Sequence, residues 1–246
     1  MKIEALLFDL DNTLILFDEK EFFKTYTYKL YKSFQDIFTP EEFGKKLMHS
    51  SIVMTNNDGK MTNAEYFIQD FASGTGVAEE DLWRRFEEFY ASDFEQFSYL
   101  MTPLPEVKNI FDNLKEEGYK IVIASNPMFP ENVQQYRLRW AGLDNIQFDL
   151  ITHANNSTFC KPNPAYYTEI CEKIDVGPEN CMMVGNDDFN DMIASKTGMK
   201  TFLTFDGEKN KTDVSRELTV NNKFELPEPD HKGKIDQLLG ILESYK

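Results

Sequence analysis

From Lys2 to Phe8 the chain is a short apolar run that ends on polar residues at Asp9, the pattern of a buried strand. The rhythm then changes. Phe22, Tyr26, Leu30 and Phe34 recur at steps of four and predict one face of an amphipathic helix. Pro40 opens a second helix carrying Phe43 and Leu47, with Glu41 and Glu42 in the first turn, where the helix dipole favours acid. Asn56-Asn57-Asp58-Gly59 is turn chemistry, and Thr62 with Glu65 then forms a capping box ahead of Tyr66, Phe67 and Phe71. Ser73-Gly74-Thr75-Gly76 breaks the chain again, and Leu82, Phe86, Phe89 and Tyr90 make a fourth stripe. Between about Glu19 and Phe97 the sequence therefore predicts four consecutive helices and no strand. It is a small bundle whose Phe and Tyr stripes read first as its own core.

Beyond Pro103 and Pro105, helix and strand alternate. Val107, Ile110, Phe111 and Leu114 predict a helix that stops at Gly118, and Tyr119 to Ala124 a strand. A helix over Asn132 to Trp140, a strand over Phe148 to Thr152 and a helix from Pro164 through Ile174 follow. Cys181 to Val184 and Lys200 to Thr204 read as strands, with a helix over Asp191 to Lys196 between them, and a last helix covers Ile235 to Leu242. This alternation predicts an α/β fold with a doubly wound, Rossmann-like parallel sheet. The helical block is then an insertion after the first strand. The expected division is a core of residues 1–17 and 99–246 and a helical cap of residues 18–98, with hinges at Leu14–Glu19 and Phe97–Thr102.

Composition narrows the function. With 246 residues, 41% hydrophobic and 28% charged, the chain can bury a sizeable core. Its formal charge of −16 repels polyanions, which argues against nucleic acid and anionic membrane as partners. No run approaches the ~18 apolar residues of a membrane span, and the opening apolar patch is too short for a signal peptide. Cys160, Cys171 and Cys181 are odd in number and form no CxxC pair, so they read as free thiols of a cytoplasmic protein. His49, His153 and His231 are scattered, which argues against zinc.

In an open parallel sheet, ligands bind beyond the carboxyl ends of the strands. The sequence places Asp9, Asp11 and Thr13 after the first strand and Ser125 and Asn126 after the second. Lys161 precedes the helix at Pro164, and Asn186, Asp187, Asp188 and Asp191 follow the Cys181–Val184 strand. Taken singly, each has an ordinary reading: a turn or cap, a solvated lysine, an acidic helix start. Taken together they are four segments that the fold class predicts will converge. Several carboxylates at one point repel each other and call for a divalent cation, and Mg²⁺ takes hard oxygen ligands, completed by water and phosphate. Aspartate is a competent nucleophile toward phosphorus, and a second carboxyl can protonate the leaving oxygen and then activate water. Pro162 and Pro164 stiffen the backbone around Lys161.

Asp9-Leu10-Asp11-Asn12-Thr13 after an apolar strand resembles the DxDxT first motif of the haloacid dehalogenase (HAD) superfamily. Ser125, Lys161 and the segment Gly185–Asp191 resemble its second, third and fourth motifs, in order, and the helical insertion resembles its type C1 cap. The resemblance runs to about residue 206 and implies a Mg²⁺-dependent phosphatase. In it, Asp9 is the nucleophile and a metal ligand, and Asp11 is the general acid/base with its backbone carbonyl on the metal. Thr13, Ser125 and Asn126 bind the phosphoryl oxygens, and Lys161 neutralises charge in the transition state. The fourth motif departs from the usual Gly-Asp, having Gly185-Asn186. Either Asn186 supplies the metal ligand through its amide oxygen or Asp187 does, and Asp187 is favoured because a carboxylate binds Mg²⁺ better than a neutral amide; Asp191 fits the second acidic position in both cases.

The resemblance implies a phosphate monoester on a small cytoplasmic metabolite as substrate. A haloacid dehalogenase would use Asp9 on carbon without metal, and Asp11 argues against it. A phosphonate hydrolase would need a Schiff-base lysine in the cap, and nothing singles out Lys20, Lys24 or Lys29. A phosphomutase shares the motifs. A non-catalytic phosphate-binding protein would be expected to have lost Asp9, Asp11 or Lys161, all of which are present. The cap span carries nine basic and sixteen acidic residues between positions 18 and 99, so the metal and Lys161 are expected to hold the phosphate, and the cap to read the rest of the substrate.

Overall fold

The structure, a computed structural model, describes residues 2–207 and 227–246. The chain runs through β1 (Ala5–Phe8) and β2 (Ile15–Leu16) into four helices, α1 (Glu19–Tyr31), α2 (Pro40–Thr55), α3 (Asn63–Ala72) and α4 (Glu79–Ser92). It returns through β3 (Thr102–Pro103) and alternates α5 (Val107–Glu116), β4 (Lys120–Ile123), α6 (Glu131–Trp140), β5 (Leu150–Ile151), α7 (Pro164–Ile174), β6 (Cys181–Gly185) and β7 (Lys200–Thr204). β8 (His231–Gly233) and α8 (Leu238–Leu242) complete the described residues.

Six strands form one sheet in the order β5-β4-β1-β6-β7-β8, all parallel. That is the doubly wound α/β architecture expected from the alternation. Side chains alternate between faces along each strand, so Leu6 and Phe8 of β1 pack with α5, α6 and α8 while Ala5 and Leu7 pack with α7. Burial on both faces explains why β1, β4 and β6 read as unbroken apolar runs. The strand order reverses at β1, and a crevice for ligands opens beside it at the carboxyl ends.

The four inserted helices share an aromatic cluster in which Phe34, Phe43, Phe71, Phe86 and Phe94 are buried. Capping boxes at Thr39–Glu42 and Thr62–Glu65 start α2 and α3. Where the insertion leaves and rejoins the core, β2 and β3 pair antiparallel, Ile15 with Pro103 and Leu16 with Thr102.

Several local readings are corrected. The α1 stripe includes Phe34, but the helix ends at Tyr31 and Phe34 reaches the same core through a turn, its amide donating to the Tyr31 carbonyl at 2.8 Å. The helix expected over Asp191–Lys196 is a 3-10 helix over Met192–Thr197, and that expected over Ile235–Leu242 is a 3-10 turn followed by α8. Strand β8 was not anticipated: its His-Lys-Gly sequence has no apolar run to mark it. Among the described residues no helix is long and apolar enough to cross a membrane, and all three cysteines are free and buried.

Candidate active site

The loop after β1 is a tight hydrogen-bonded turn. The Leu10 carbonyl accepts from the amides of Thr13, Leu14 and Ile15, and Asn12 stands in the left-handed region at φ 55, which asparagine tolerates better than most residues. The Asn12 side chain accepts from the Phe17 amide at 3.1 Å. This turn folds Thr13 back onto Asp9, its hydroxyl 3.2 Å from Asp9 Oδ2. Asp9 itself is held by its amide, which donates to the Val184 carbonyl of β6 at 2.9 Å.

Lys161 ties the site together. It is buried, its ammonium donating to Asp9 Oδ1 at 2.8 Å and to Asp191 Oδ1 at 2.6 Å. Burial works against that ammonium, but Asp191 and Asp9 outweigh it and hold its pKa well above the usual lysine value. Burial also pushes Asp9 up and Asp191 up to about 7, against the pull of Lys161 and with the neighbouring carboxylates adding to the rise. Two buried carboxylates face one ammonium, so the cluster is short of positive charge. Gly185 makes this packing possible, because a Cβ there would overlap the Asp191 carboxylate.

After β6, Asn186 and Asp187 part ways. Asn186 Oδ1 lies 3.2 Å from the Thr13 hydroxyl, beside Asp9. The Asp187 carboxylate instead caps its own turn, Oδ1 accepting from the Phe189 and Asn190 amides at 2.8 Å each and Oδ2 from Asn190 Nδ2 at 3.2 Å. Asp191 Oδ2 accepts from the Asp187 amide at 2.9 Å. Ser125 is buried at the end of β4, and Asn126 Oδ1 accepts from the Lys161 amide at 3.2 Å. Asp9, Asp11, Ser125, Asn126, Lys161, Asn186, Asp187 and Asp191 all line one cavity of about 510 Å³; Thr13 lies beneath it, fully buried.

The oxygens here fit a hard cation. Thr13 has one hydroxyl proton for two acceptors, Asp9 Oδ2 and Asn186 Oδ1, so more lone pairs than donors meet at this point. Asn190, also on the cavity wall, has a buried Oδ1 with no hydrogen-bond partner. Among the described residues no group of three or more His, Cys, Asp or Glu is gathered to hold a metal. A hard cation at this point would draw on amide and main-chain oxygens and on water besides carboxylate.

Sequence reasoning missed Arg137 of α6. It is buried, paired with Asp11 Oδ1, 2.6 Å from Gln134 Oε1, 3.4 Å from Ser125 Oγ, and stacked over Phe129 with 5.7 Å between the guanidinium carbon and the ring centroid. A signal existed: Gln134 and Arg137 share the buried face of α6 with Val133 and Leu138, and polar residues on an apolar face ask for partners.

The fold, the convergence of four separate segments and the buried Asp-Lys-Asp cluster meet a family profile described as haloacid dehalogenase-like hydrolase, which matches residues 3–197. The chain belongs to this family and is a hydrolase of it, as the motif resemblance implied. The chain is 30% identical to a phosphoglycolate phosphatase of Pasteurella multocida over 47% of its own length and 49% of that protein's, so it spans about half of that relative. It is 25% identical to the pyrophosphatase PpaX of Bacillus mycoides over 98% of both chains. Among solved structures it resembles YfnB of Bacillus subtilis, described as a HAD-hydrolase bound to magnesium. That likeness is 18% identical, covers 99% of this chain and 100% of that one with a TM-score of 0.58, and bears on the fold alone.

Proposed function

We propose that the protein hydrolyses a phosphate monoester of a small cytoplasmic metabolite with Mg²⁺, through an aspartyl-phosphate on Asp9. The observation that carries this is the Lys161 ammonium spanning Asp9 and Asp191 beside the proton-poor oxygens of Asp9, Thr13 and Asn186. Asp9, Asn186, the main-chain carbonyl of Asp11 and Asp191 would hold the metal. Asn186 is preferred to Asp187, whose carboxylate is committed to its turn. Bound Mg²⁺ would screen the phosphate dianion from the attacking carboxylate. The phosphatase names of the curated relatives agree with this reading.

Asp9 attacks phosphorus, and the leaving oxygen takes a proton from Asp11. Asp11 then takes a proton from water as that water attacks the aspartyl-phosphate. Arg137 fixes the Asp11 carboxylate on one side of the cavity, a positioning role. Ser125 and Asn126 bind the phosphoryl oxygens and Lys161 offsets the charge on Asp9 and the transferring group; Thr13, expected on the phosphate, is instead fully buried beneath the cavity, where its hydroxyl steadies Asp9 and Asn186. Residues 18–98 act as a cap over residues 1–17 and 99–246, swinging on the β2–β3 ribbon.

The test is phosphate release from 4-nitrophenyl phosphate. It is expected to require Mg²⁺, to stop with EDTA, and to vanish in Asp9→Asn, with acid-quenched wild-type protein carrying phosphate on Asp9 by mass spectrometry. Metal-free release of chloride from 2-chloropropionate, or full turnover by Asp9→Asn, would overturn it.

A further inference from the structure

The cavity above Asp9 is much larger than a phosphate group and its two halves differ in chemistry. Toward the sheet it is charged. Toward the inserted helices its wall is mostly apolar, with Phe23, Phe67 and Trp83 on it and the uncharged hydroxyls of Thr27, Ser51 and Thr55 among them. Its volume of about 510 Å³ lies within the range of pockets that hold drug-sized ligands. A two-carbon acid would leave most of that space empty.

The charges on the wall are as informative as the rings. Among the described residues that line the cavity, the cations are Lys161 and Arg137. Both are committed, Lys161 between Asp9 and Asp191 and Arg137 to Asp11. Six acids line the same space: Asp9, Asp11, Glu19, Asp187, Asp188 and Asp191. None of the nine lysines and arginines between residues 18 and 99 lines it. Several are paired elsewhere on the bundle instead, Arg85 with Asp36 and Lys46 with Asp70 among them. The two tyrosines of the wall, Tyr26 and Tyr90, bond to each other at 2.7 Å, and burial pushes both phenols up, so they stay neutral. One divalent cation at Asp9 would answer one phosphate and leave the surplus of acid in place.

We infer that the substrate is a phosphate monoester whose leaving group is uncharged and largely apolar, with a flat or aromatic part that packs among Phe23, Phe67 and Trp83. This rests on the phosphatase reading and sharpens it. A second anionic group on the substrate, whether the carboxylate of phosphoglycolate, the second phosphate of pyrophosphate or that of a sugar bisphosphate, would meet carboxylates and rings there rather than a cation. The inference therefore separates this chain from what the names of its relatives would suggest.

The experiment compares kcat/KM, with Mg²⁺, for 2-phenylethyl phosphate, ethyl phosphate, 2-phosphoglycolate and pyrophosphate. The first two leave as alcohols of similar acidity, so their difference reads binding of the ring. Burial of a phenyl group predicts a preference of about tenfold or more for 2-phenylethyl phosphate over ethyl phosphate, lost in Phe23→Ala. The half-exposed Met48 offers the converse variant: Met48→Lys should raise activity on 2-phosphoglycolate relative to 2-phenylethyl phosphate by about tenfold. Equal or better turnover of 2-phosphoglycolate or pyrophosphate by the wild type would overturn the inference and leave the phosphatase reading intact. Should no phosphate ester turn over, the phosphatase reading falls, and calorimetric titration of the two esters decides the cavity. Tighter binding of 2-phenylethyl phosphate than of 2-phosphoglycolate supports the inference, and equal or weaker binding overturns it.

Discussion

The ammonium of Lys161 stands 2.8 Å from Oδ1 of Asp9 although 152 residues of chain separate them. The pair is buried, and the same ammonium meets Asp191 at 2.6 Å. Removing the positive charge leaves two carboxylates facing each other out of water, so Lys161→Met should destabilise the fold by about 3–5 kcal/mol. Added Mg²⁺ should recover part of that loss, because it returns positive charge to the same oxygens. Urea unfolding with and without Mg²⁺ measures both effects. Turnover should fall on the order of 10²–10³-fold, the usual cost of losing a preorganised positive donor. A variant as stable as the wild type in EDTA would contradict the charge arrangement described for this site.

Asn186 and Asp187 are neighbours with opposite assignments. Asn186 Oδ1 faces Thr13 beside Asp9, whereas the Asp187 carboxylate accepts two main-chain amides of its own turn. Asn186→Ala should weaken the Mg²⁺ requirement curve by about tenfold or more in apparent affinity, with little change in stability. Asn186→Asp should tighten it. Asp187→Ala should instead cost about 1 kcal/mol of stability through loss of the cap, with the Mg²⁺ affinity within a few-fold of wild type. Mg²⁺ titration of activity and thermal unfolding of the three variants separate the two roles.

Arg137 is buried, while the side chain of its partner Asp11 is 38% exposed. That asymmetry decides which property suffers when the pair is broken. In Arg137→Met the Asp11 carboxylate can turn to water, so the stability loss should be about 1–2 kcal/mol, near the worth of the lost Gln134 and Ser125 hydrogen bonds. Turnover should fall about 10–100-fold, because Asp11 loses its orientation. Arg137→Lys should rescue kcat only in part, since an ammonium cannot reproduce the fork that holds Asp11, Gln134 and Ser125 together. Steady-state kinetics on any phosphate ester that turns over provides the check.

The strand-end residues were legible in the sequence because each follows a short, unbroken apolar run, and in a doubly wound sheet such runs point their ends to one side. Asp9, Ser125 and Asn186 follow β1, β4 and β6 in this way. The helices of the insertion were legible from their stripes, but which rings face the cavity was not. Phe34 and Phe43 lie wholly in the bundle core, whereas Phe23 and Trp83 reach the cavity wall, and spacing alone gives both sets the same signature. Strand β8 was hidden because its pairing with Phe202, Leu203 and Thr204 is a main-chain affair and its Lys232 side chain is exposed. Arg137 was hidden because its partners come from segments remote in sequence, Asp11 and Ser125.

Asn63, the first residue of α3, fastens the inserted helices to the core. Its Nδ2 donates to the carbonyls of Pro127 at 3.3 Å and Phe159 at 3.2 Å, and its Oδ1 accepts from Asn57 at 2.9 Å. The Asn63 and Ala64 amides donate to the carbonyls of Ser157 and Ala154, both at 2.9 Å. Pro127 follows Ser125 and Asn126, and Phe159 precedes Lys161, so this contact ties α3 to the two loops that carry those residues. Asn63→Ala removes the side-chain bonds and leaves buried acceptors unpaired, at about 1–3 kcal/mol. The loss falls on the junction and not on either apolar core, so it should appear as easier separation of the two parts. Hydrogen exchange should speed up at the start of α3 and in residues 154–161 while β1, β4 and β6 stay protected. Because a cap that closes less firmly holds the substrate less well, KM should rise more than kcat falls. Uniform loss of protection across the sheet would mean that Asn63 supports the whole fold rather than the junction.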